Sequence, residues 1–173
     1  MTRAAIATVV TPGPQTTVQD WPGRTGYWEV GVPPSGPMDD LSMRLANIAV
    51  GNAEGAAALE CTLAGPTLRF HADAVVAVTG AHVDVSVSGT PMPQWLPLTV
   101  RAGDELRVGG TGDYGMRAYV AIRGGIDTPE YLGSRSTFTL GGFGGVQGRA
   151  LAAGDELVRG DQTAGDPRRI LGD

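Results

Sequence analysis

Along most of the chain, apolar residues recur at every second position in short runs. Val83, Val85 and Val87 alternate with His82, Asp84, Ser86 and Ser88, the pattern of a strand with one face buried and the other in water. Met116, Ala118, Val120 and Ile122 alternate in the same way with Arg117, Tyr119 and Arg123. Further strand-like runs are "AIATVV" at 5–10, "TLRFH" at 67–71 and "AVVAVTG" at 74–80, and the stretch 98–110 reads as two short strands around a Gly-Asp turn. Glu60 and Cys61 in "ALECTL" fall on another strand. The pentapeptide A-G-D-E-L occurs twice, within 101–110 and within 152–161, which predicts one turn-then-strand element used twice.

The two-residue period breaks once. Over 39–52, Leu41, Leu45, Ile48 and Ala49 fall at i, i+4, i+7 and i+8, one apolar face of a helix. Asp39 is placed to cap its start, Pro37 keeps it from beginning much earlier, and Gly51 stands where a terminating glycine belongs. Residues 20–38 are too rich in proline and glycine for a regular element, and 161–173 loses all alternation and reads as a linker. The expected fold is therefore mainly β, a barrel or sandwich, with one or two short helices.

Composition sharpens this picture. Gly 27 and Pro 12 together exceed a fifth of the 173 residues without any repeat period, as many turns between short strands require. The length suits one domain. No apolar run is long enough to span a bilayer, and the N-terminus has no signal-peptide pattern. Cys61 is the only cysteine, which excludes an internal disulfide and a cysteine-based zinc site and fits a cytoplasmic protein. All 13 basic residues are arginine, so a Schiff base, a phosphate-loop lysine and a biotinylated lysine are excluded on this chain. A net charge of -5 with dispersed arginines argues against a nucleic-acid surface.

Three places carry candidate chemistry. Ser35, in the context P-P-S-G-P, lacks the G-x-S-x-G elbow, and the only histidines, His71 and His82, are expected on strands. It suits a turn, or a ligand donor together with the backbone of Gly36, better than a nucleophile. Asp39, Asp40, Arg44 and Asn47 form a polar stripe off the helix's apolar face, either a binding surface or an ordinary solvated one. Gly133, Ser134, Arg135, Ser136 and Thr137 expose backbone N–H groups, hydroxyls and a guanidinium, a nest for a carboxylate, carbonate or phosphate. The glycine-rich 139–149 that follows is a mobile loop, a close-approach surface, or simply turns. No spacing supports a metal site. A buried Glu60 would need a partner such as an arginine.

Several stretches in order, "TTVQDWPGRTGYWEVGVPPSGPMDDLSMRLANIAVGN", "ALECTLAGPTLRF", "RAYVAIRGGID", "LGSRST" and "GGVQGRALAAGDEL", resemble the allophanate hydrolase subunit 2 family, also called KipA-type. The resemblance runs from about residue 8 to 160. It implies a cyclophilin-like closed β-barrel over 1–160, with 161–173 a linker or the start of a second barrel that family members carry. It implies relation to the urea carboxylase carboxyltransferase domain and a role as one component of a bacterial ATP-dependent 5-oxoprolinase. Its partners would be a KipI-type protein and a LamB/YcsF-type protein, with ATP bound by a partner and a small amide or ureido substrate. The alternatives are a regulator that antagonises a KipI-type kinase inhibitor, with Trp21, Tyr27 and Trp28 as contact surface, and carboxyl transfer from carboxybiotin to a urea-like acceptor. Ser35, Gly36, Asp39, Arg44, Asn47, Gly133, Ser134, Arg135 and Ser136 are the expected substrate-binding positions; no catalytic residue stands out.

Overall fold

The computed structural model describes residues 4–170. Eleven strands, one α-helix and one 3-10 turn follow in the order β1 (Ala5–Thr11), β2 (Gln15–Gln19), the 3-10 turn (Trp28–Val30), α1 (Asp40–Val50), β3 (Ala58–Thr62), β4 (Thr67–Phe70), β5 (Ala74–Gly80), β6 (Val83–Val87), β7 (Thr90–Met92), β8 (Leu98–Val100), β9 (Glu105–Thr111), β10 (Arg117–Ile122) and β11 (Glu156–Val158). The strands form two antiparallel sheets, β11-β1-β4-β9-β6-β7 and β2-β3-β10-β5-β8. Between them lies the main core, including Val9, Leu59, Leu68, Phe70, Val78, Leu106, Val120 and Ile122.

The mainly-β expectation holds; the closed barrel does not. Both sheets are open. At one seam, β7 is three residues long and contains Pro91, and Pro93 and Pro97 flank the link to β8. Prolines lack the amide hydrogen that a continued ladder would need. At the other seam, the edge of β2 is taken by loops: the Thr137 amide donates to Val18 O at 2.9 Å, and the Leu151 amide to Thr16 O at 2.8 Å. The edge of β11 is likewise met by the Asp127 amide, which donates to Val158 O at 2.8 Å. Irregular, glycine-rich chain thus fills the place where β2 and β11 would have to pair.

The helix forms where expected, but packs on a different face. The Asp39 carboxylate accepts from the Ser42 amide at 3.0 Å and from its hydroxyl at 2.5 Å, and Gly51 ends the helix at φ 77°. Met43, Ala46, Ala49 and Val50 are buried against Ala58, Ala77, Tyr119 and Ala121 of the second sheet. Leu41 is 59% exposed, and Leu45 and Ile48 are only half-buried. The alanines on both surfaces let helix and sheet approach closely, and close packing outweighs the larger Leu41 side chain. The central strand β10 is consequently buried on both faces, Ala118, Val120 and Ile122 inward and Tyr119 and Ala121 under the helix.

The repeated A-G-D-E-L is one element used twice. In each copy the aspartate accepts the amide three residues back: Arg101 to Asp104 at 2.9 Å, Ala152 to Asp155 at 2.8 Å. In each, the glycine turns at positive φ, 93° at Gly103 and 90° at Gly154, and its amide reaches the neighbouring strand at Phe70 O or Val9 O, both at 2.8 Å. These amide contacts and Ser88 hold the Asp104 carboxyl below its ordinary pKa, and the Arg149 guanidinium at 2.7 and 2.8 Å does so for Asp155, aided by the Ala152 amide. Lowered folded-state values mean stability that is complete above the unfolded aspartate pKa of about 3.9 and lost as pH falls through the folded values. Asp155→Asn is expected to cost about 1–2 kcal/mol near neutrality, from bonds to a charged group in a partly solvated place. Urea midpoints measured from about pH 7 down to about pH 2.5 should show the difference from the parent shrinking below about pH 4; a constant difference would contradict this role.

The stretch expected to be a linker is hydrogen-bonded to the helix end where it is described. The Ala164 amide donates to Gly51 O at 2.9 Å and the Arg168 amide to Ala49 O at 2.9 Å. Among the described residues no helix is long and apolar enough to cross a membrane.

Candidate functional site

The two groups of expected binding residues are joined by a hexapeptide, Gln19-Asp20-Trp21-Pro22-Gly23-Arg24, that lies between them. On one side, the Gly36 amide donates to the Gln19 carbonyl oxygen Oε1 at 3.0 Å and the Arg24 amide to Pro34 O at 2.6 Å. On the other, the Asp20 carboxylate accepts from the Ser134 hydroxyl at 2.5 Å, the Ser136 hydroxyl at 2.7 Å and the Arg135 amide at 2.7 Å. The nest at 133–137 does hold a carboxylate, and it is the chain's own. Ser134 and Ser136 are fully buried in this arrangement. Their hydroxyls fasten the loop to Asp20.

Arg24 completes the hub. It is fully buried, and its Nε donates to Tyr131 O at 2.8 Å while Nη2 donates to Ser136 O at 2.9 Å and Ser134 O at 3.4 Å. Its guanidinium carbon lies 4.9 Å from the Phe143 ring centroid and 5.9 Å from that of Tyr131. Burial pulls its pKa below the ordinary arginine value, opposed by the negative charge of Asp20. Gly144 has to be glycine here: a Cβ would stand 2.0 Å from Ser136 O and 3.0 Å from Arg24 Nη2.

The helix residues divide. Asp39 is the helix cap, and its amide donates to the Tyr119 hydroxyl at 2.7 Å. Asn47, expected on the polar stripe, is fully buried: its Nδ2 donates to Ala56 O at 2.8 Å and Glu54 O at 3.2 Å, and its Oδ1 accepts from Asn52 at 3.0 Å. The chain after the helix folds back over that side, which a helical repeat alone does not reveal. Arg44 pairs with Glu54 at 2.7 Å and Asp40 at 3.6 Å and stacks 4.4 Å over the Trp21 ring. Ser35 sits at φ 56°, a strained turn position, and both histidines are exposed and lie beside strands rather than in them, His71 bonded to Thr8 at 2.7 Å.

Glu60 finds the arginine its burial calls for. Arg117 Nε stands 3.7 Å from one carboxylate oxygen, and the other accepts from the Tyr119 hydroxyl at 2.8 Å and the Met38 amide at 2.7 Å. Burial, reinforced by the charge of Glu60, raises the Tyr119 pKa. Cys61 is no nucleophile, since burial pushes its thiol up to about 12. Among the described residues no group of carboxylates, histidines and cysteine is placed to hold a metal.

A cleft opens beside β11 at its seam with β2. Its volume is about 580 Å³, and residues 127–131, 142–148 and Glu156 line it. A second hollow of about 500 Å³ shares Asp127, Thr128, Pro129 and Glu130 and adds Arg135. Arg135 pairs with Glu130 and stands 3.6 Å from Asp127. The hub therefore backs one wall of this cleft: Arg24 bonds the Tyr131 carbonyl and lies against Phe143, and Asp20 holds the Arg135 amide. Of the expected site residues, Arg135 is the one that faces it.

Residues 30–171 match the carboxyltransferase domain, subdomain A and B. The chain belongs to that family. It is 55% identical over 149 residues to a urea amidolyase of Lachancea kluyveri, covering 86% of this chain and 8% of the relative. It is 39% identical over 152 residues to a 5-oxoprolinase component of Escherichia coli, covering 88% of this chain and 48% of that protein. The crystal structure of Kluyveromyces lactis urea carboxylase superimposes with a TM-score of 0.93 at 47% identity, over 99% of this chain and 16% of that one. The chain thus spans about half the length of the 5-oxoprolinase component and under a tenth of the amidolyase.

Sequence reasoning missed Asp20, Arg24 and Tyr119. An arginine inside "DWPGR" was the available signal, since a charged residue flanked by turn formers has no amphipathic face to serve. Its partners lie more than a hundred residues away.

Proposed function

We propose that this carboxyltransferase domain serves an enzyme that moves a carboxyl group from a carboxylated biotin to a nitrogen of urea or a urea-like amide. One observation carries the reading: identity is 55% and 52% to two urea amidolyases and 39% to each of two 5-oxoprolinase components. With no lysine on this chain, the biotin would be carried elsewhere in the assembly and ATP used elsewhere too. A bound carboxylated biotin would supply an activated carboxyl group for the acceptor nitrogen, and this chain's residues would bind and orient the acceptor. The cleft suits an uncharged urea or amide acceptor, with its aromatic wall of Tyr131 and Phe143 and the carboxylates of Asp127, Glu130 and Glu156 for the acceptor's N–H groups.

A second reading, a 5-oxoprolinase component acting with KipI-type and LamB/YcsF-type partners, is supported by 39% identity to the Escherichia coli component over 88% of this chain. The cleft's carboxylates oppose it, because 5-oxoproline is itself an anion. The two separate on biotin. An assembly of the chain with the products of its neighbouring genes is expected to lose its ATP-dependent activity when avidin is added first. Activity untouched by avidin, with no biotinylated component on a streptavidin blot, would overturn the proposal.

A further inference from the structure

We propose that residues 25–33, a projecting loop tipped by Trp28 and Val30, dock into an apolar socket rimmed by basic side chains on another protein of the assembly. The surface rests on this chain's structure; placing the socket within the assembly rests on the carboxyltransferase reading.

The loop is closed at its base and held together by its own backbone. The Arg24 amide donates to Pro34 O at 2.6 Å, and a Cβ at Gly23 would stand 2.7 Å from the same oxygen. Beyond that base, the Val30 and Val32 amides donate to Tyr27 O at 3.2 and 3.1 Å, and the Gly31 amide donates to Trp28 O at 2.9 Å. Compact loops whose ends meet in this way are frequently functional. No residue from 25 to 33 is buried. Even the backbone stands clear, since a Cβ added at Gly26 or Gly31 would meet nothing within 4 Å.

What the loop carries gains nothing from the chain's own fold. Trp28 is 69% exposed and Val30 74%. Of the ten large apolar side chains exposed among the described residues, five fall between 21 and 41: Trp21, Trp28, Val30, Met38 and Leu41. Single exposed apolar residues need no cause, but a concentration of them marks an interaction surface. Tryptophan is enriched among the side chains that anchor interfaces.

Charge selects the occupant. From 25 to 43 the chain carries Glu29, Asp39 and Asp40 and no basic residue, so a complementary socket has a basic rim. A second copy of the chain fits poorly. Six of its arginines, Arg44, Arg69, Arg117, Arg123, Arg135 and Arg149, already pair with carboxylates. Its aromatic-walled cleft is lined by Asp127, Glu130 and Glu156, which would repel Glu29. A membrane bearing anionic lipids would repel the same charge.

The test measures the protein's affinity for the products of its neighbouring genes, together with hydroxyl-radical oxidation of each residue read by mass spectrometry. Trp28 should oxidise readily in the protein alone and become protected on assembly. Trp28→Ser should weaken assembly at least about thirtyfold, with an unchanged thermal midpoint because the tip is exposed. Glu29→Lys should slow association and reduce its sensitivity to salt. Tyr114→Ser, which removes an exposed aromatic side chain outside this segment, should do neither. Normal assembly of Trp28→Ser, a lowered midpoint, or Trp28 already protected in the protein alone would sink the proposal. So would self-association in sedimentation, or binding to phosphatidylserine vesicles, that is lost in Trp28→Ser, since the occupant would then be a second copy or a membrane. If Trp28→Ser assembles normally and carboxylation is avidin-sensitive, the surface is wrong and the function stands. If assembly needs Trp28 and that activity is absent, the surface stands and the function is wrong.

Discussion

Arg24→Ala is expected to cost the fold about 3–5 kcal/mol, the range found when one side of a buried charged network is removed. Three carbonyls, those of Tyr131, Ser134 and Ser136, lose their donor at once, and each buried acceptor left unpaired costs about 1–3 kcal/mol before the chain relaxes. Asp20 loses the attraction of the Arg24 charge. Phe143 loses the cation against its ring, so the wall of the cleft should loosen with the hub. Arg24→Lys should recover little, because an ammonium cannot reproduce the fork that reaches Tyr131 O and Ser136 O together. Guanidinium unfolding of parent and variants measures this directly. A loss below about 1 kcal/mol for the alanine variant would mean that the hub is not what holds 131–136 in place.

That hub also explains which parts of the molecule were legible in the sequence. Strands such as β6 and β10 announce themselves through a two-residue period because one face packs on the core, and the repeated A-G-D-E-L was readable because its turn is local, each aspartate closing on an amide three residues back. The helix ends were readable for the same reason: Asp39 and Gly51 act on their own neighbours. Which face the helix buries was not, since Ala58, Ala77 and Ala121 of distant strands decide it. Closure failed as an expectation because pairing of β2 with β11 is prevented by chain from 126 to 151, whose glycines and turns carry no period.

The candidate site shows the same division. Local chemistry marked Ser134, Arg135 and Ser136 as a nest, and the nest exists; only its occupant, Asp20, lay 114–116 residues away and could not be seen. Arg44 and Asn47 share a helix face by spacing, yet Asn47 is enclosed by 52–56 and Arg44 is spent on Glu54 and Trp21.

The largest functional effect expected is an all-or-none difference between two substrates. The cleft presents Asp127, Glu130 and Glu156, and a carboxylate ligand brought among them would meet like charges. Urea carries no charge and offers N–H groups to those same carboxylates. Identity to the urea amidolyases points the same way, at 55% and 52%. The decisive measurement supplies the assembled enzyme with ATP, isotopically labelled bicarbonate and either urea or 5-oxoproline, and follows the label and the products by mass spectrometry. Label entering a carboxylated urea, with no glutamate formed from 5-oxoproline, is the predicted result; ATP-dependent glutamate formation without label transfer to urea would contradict it.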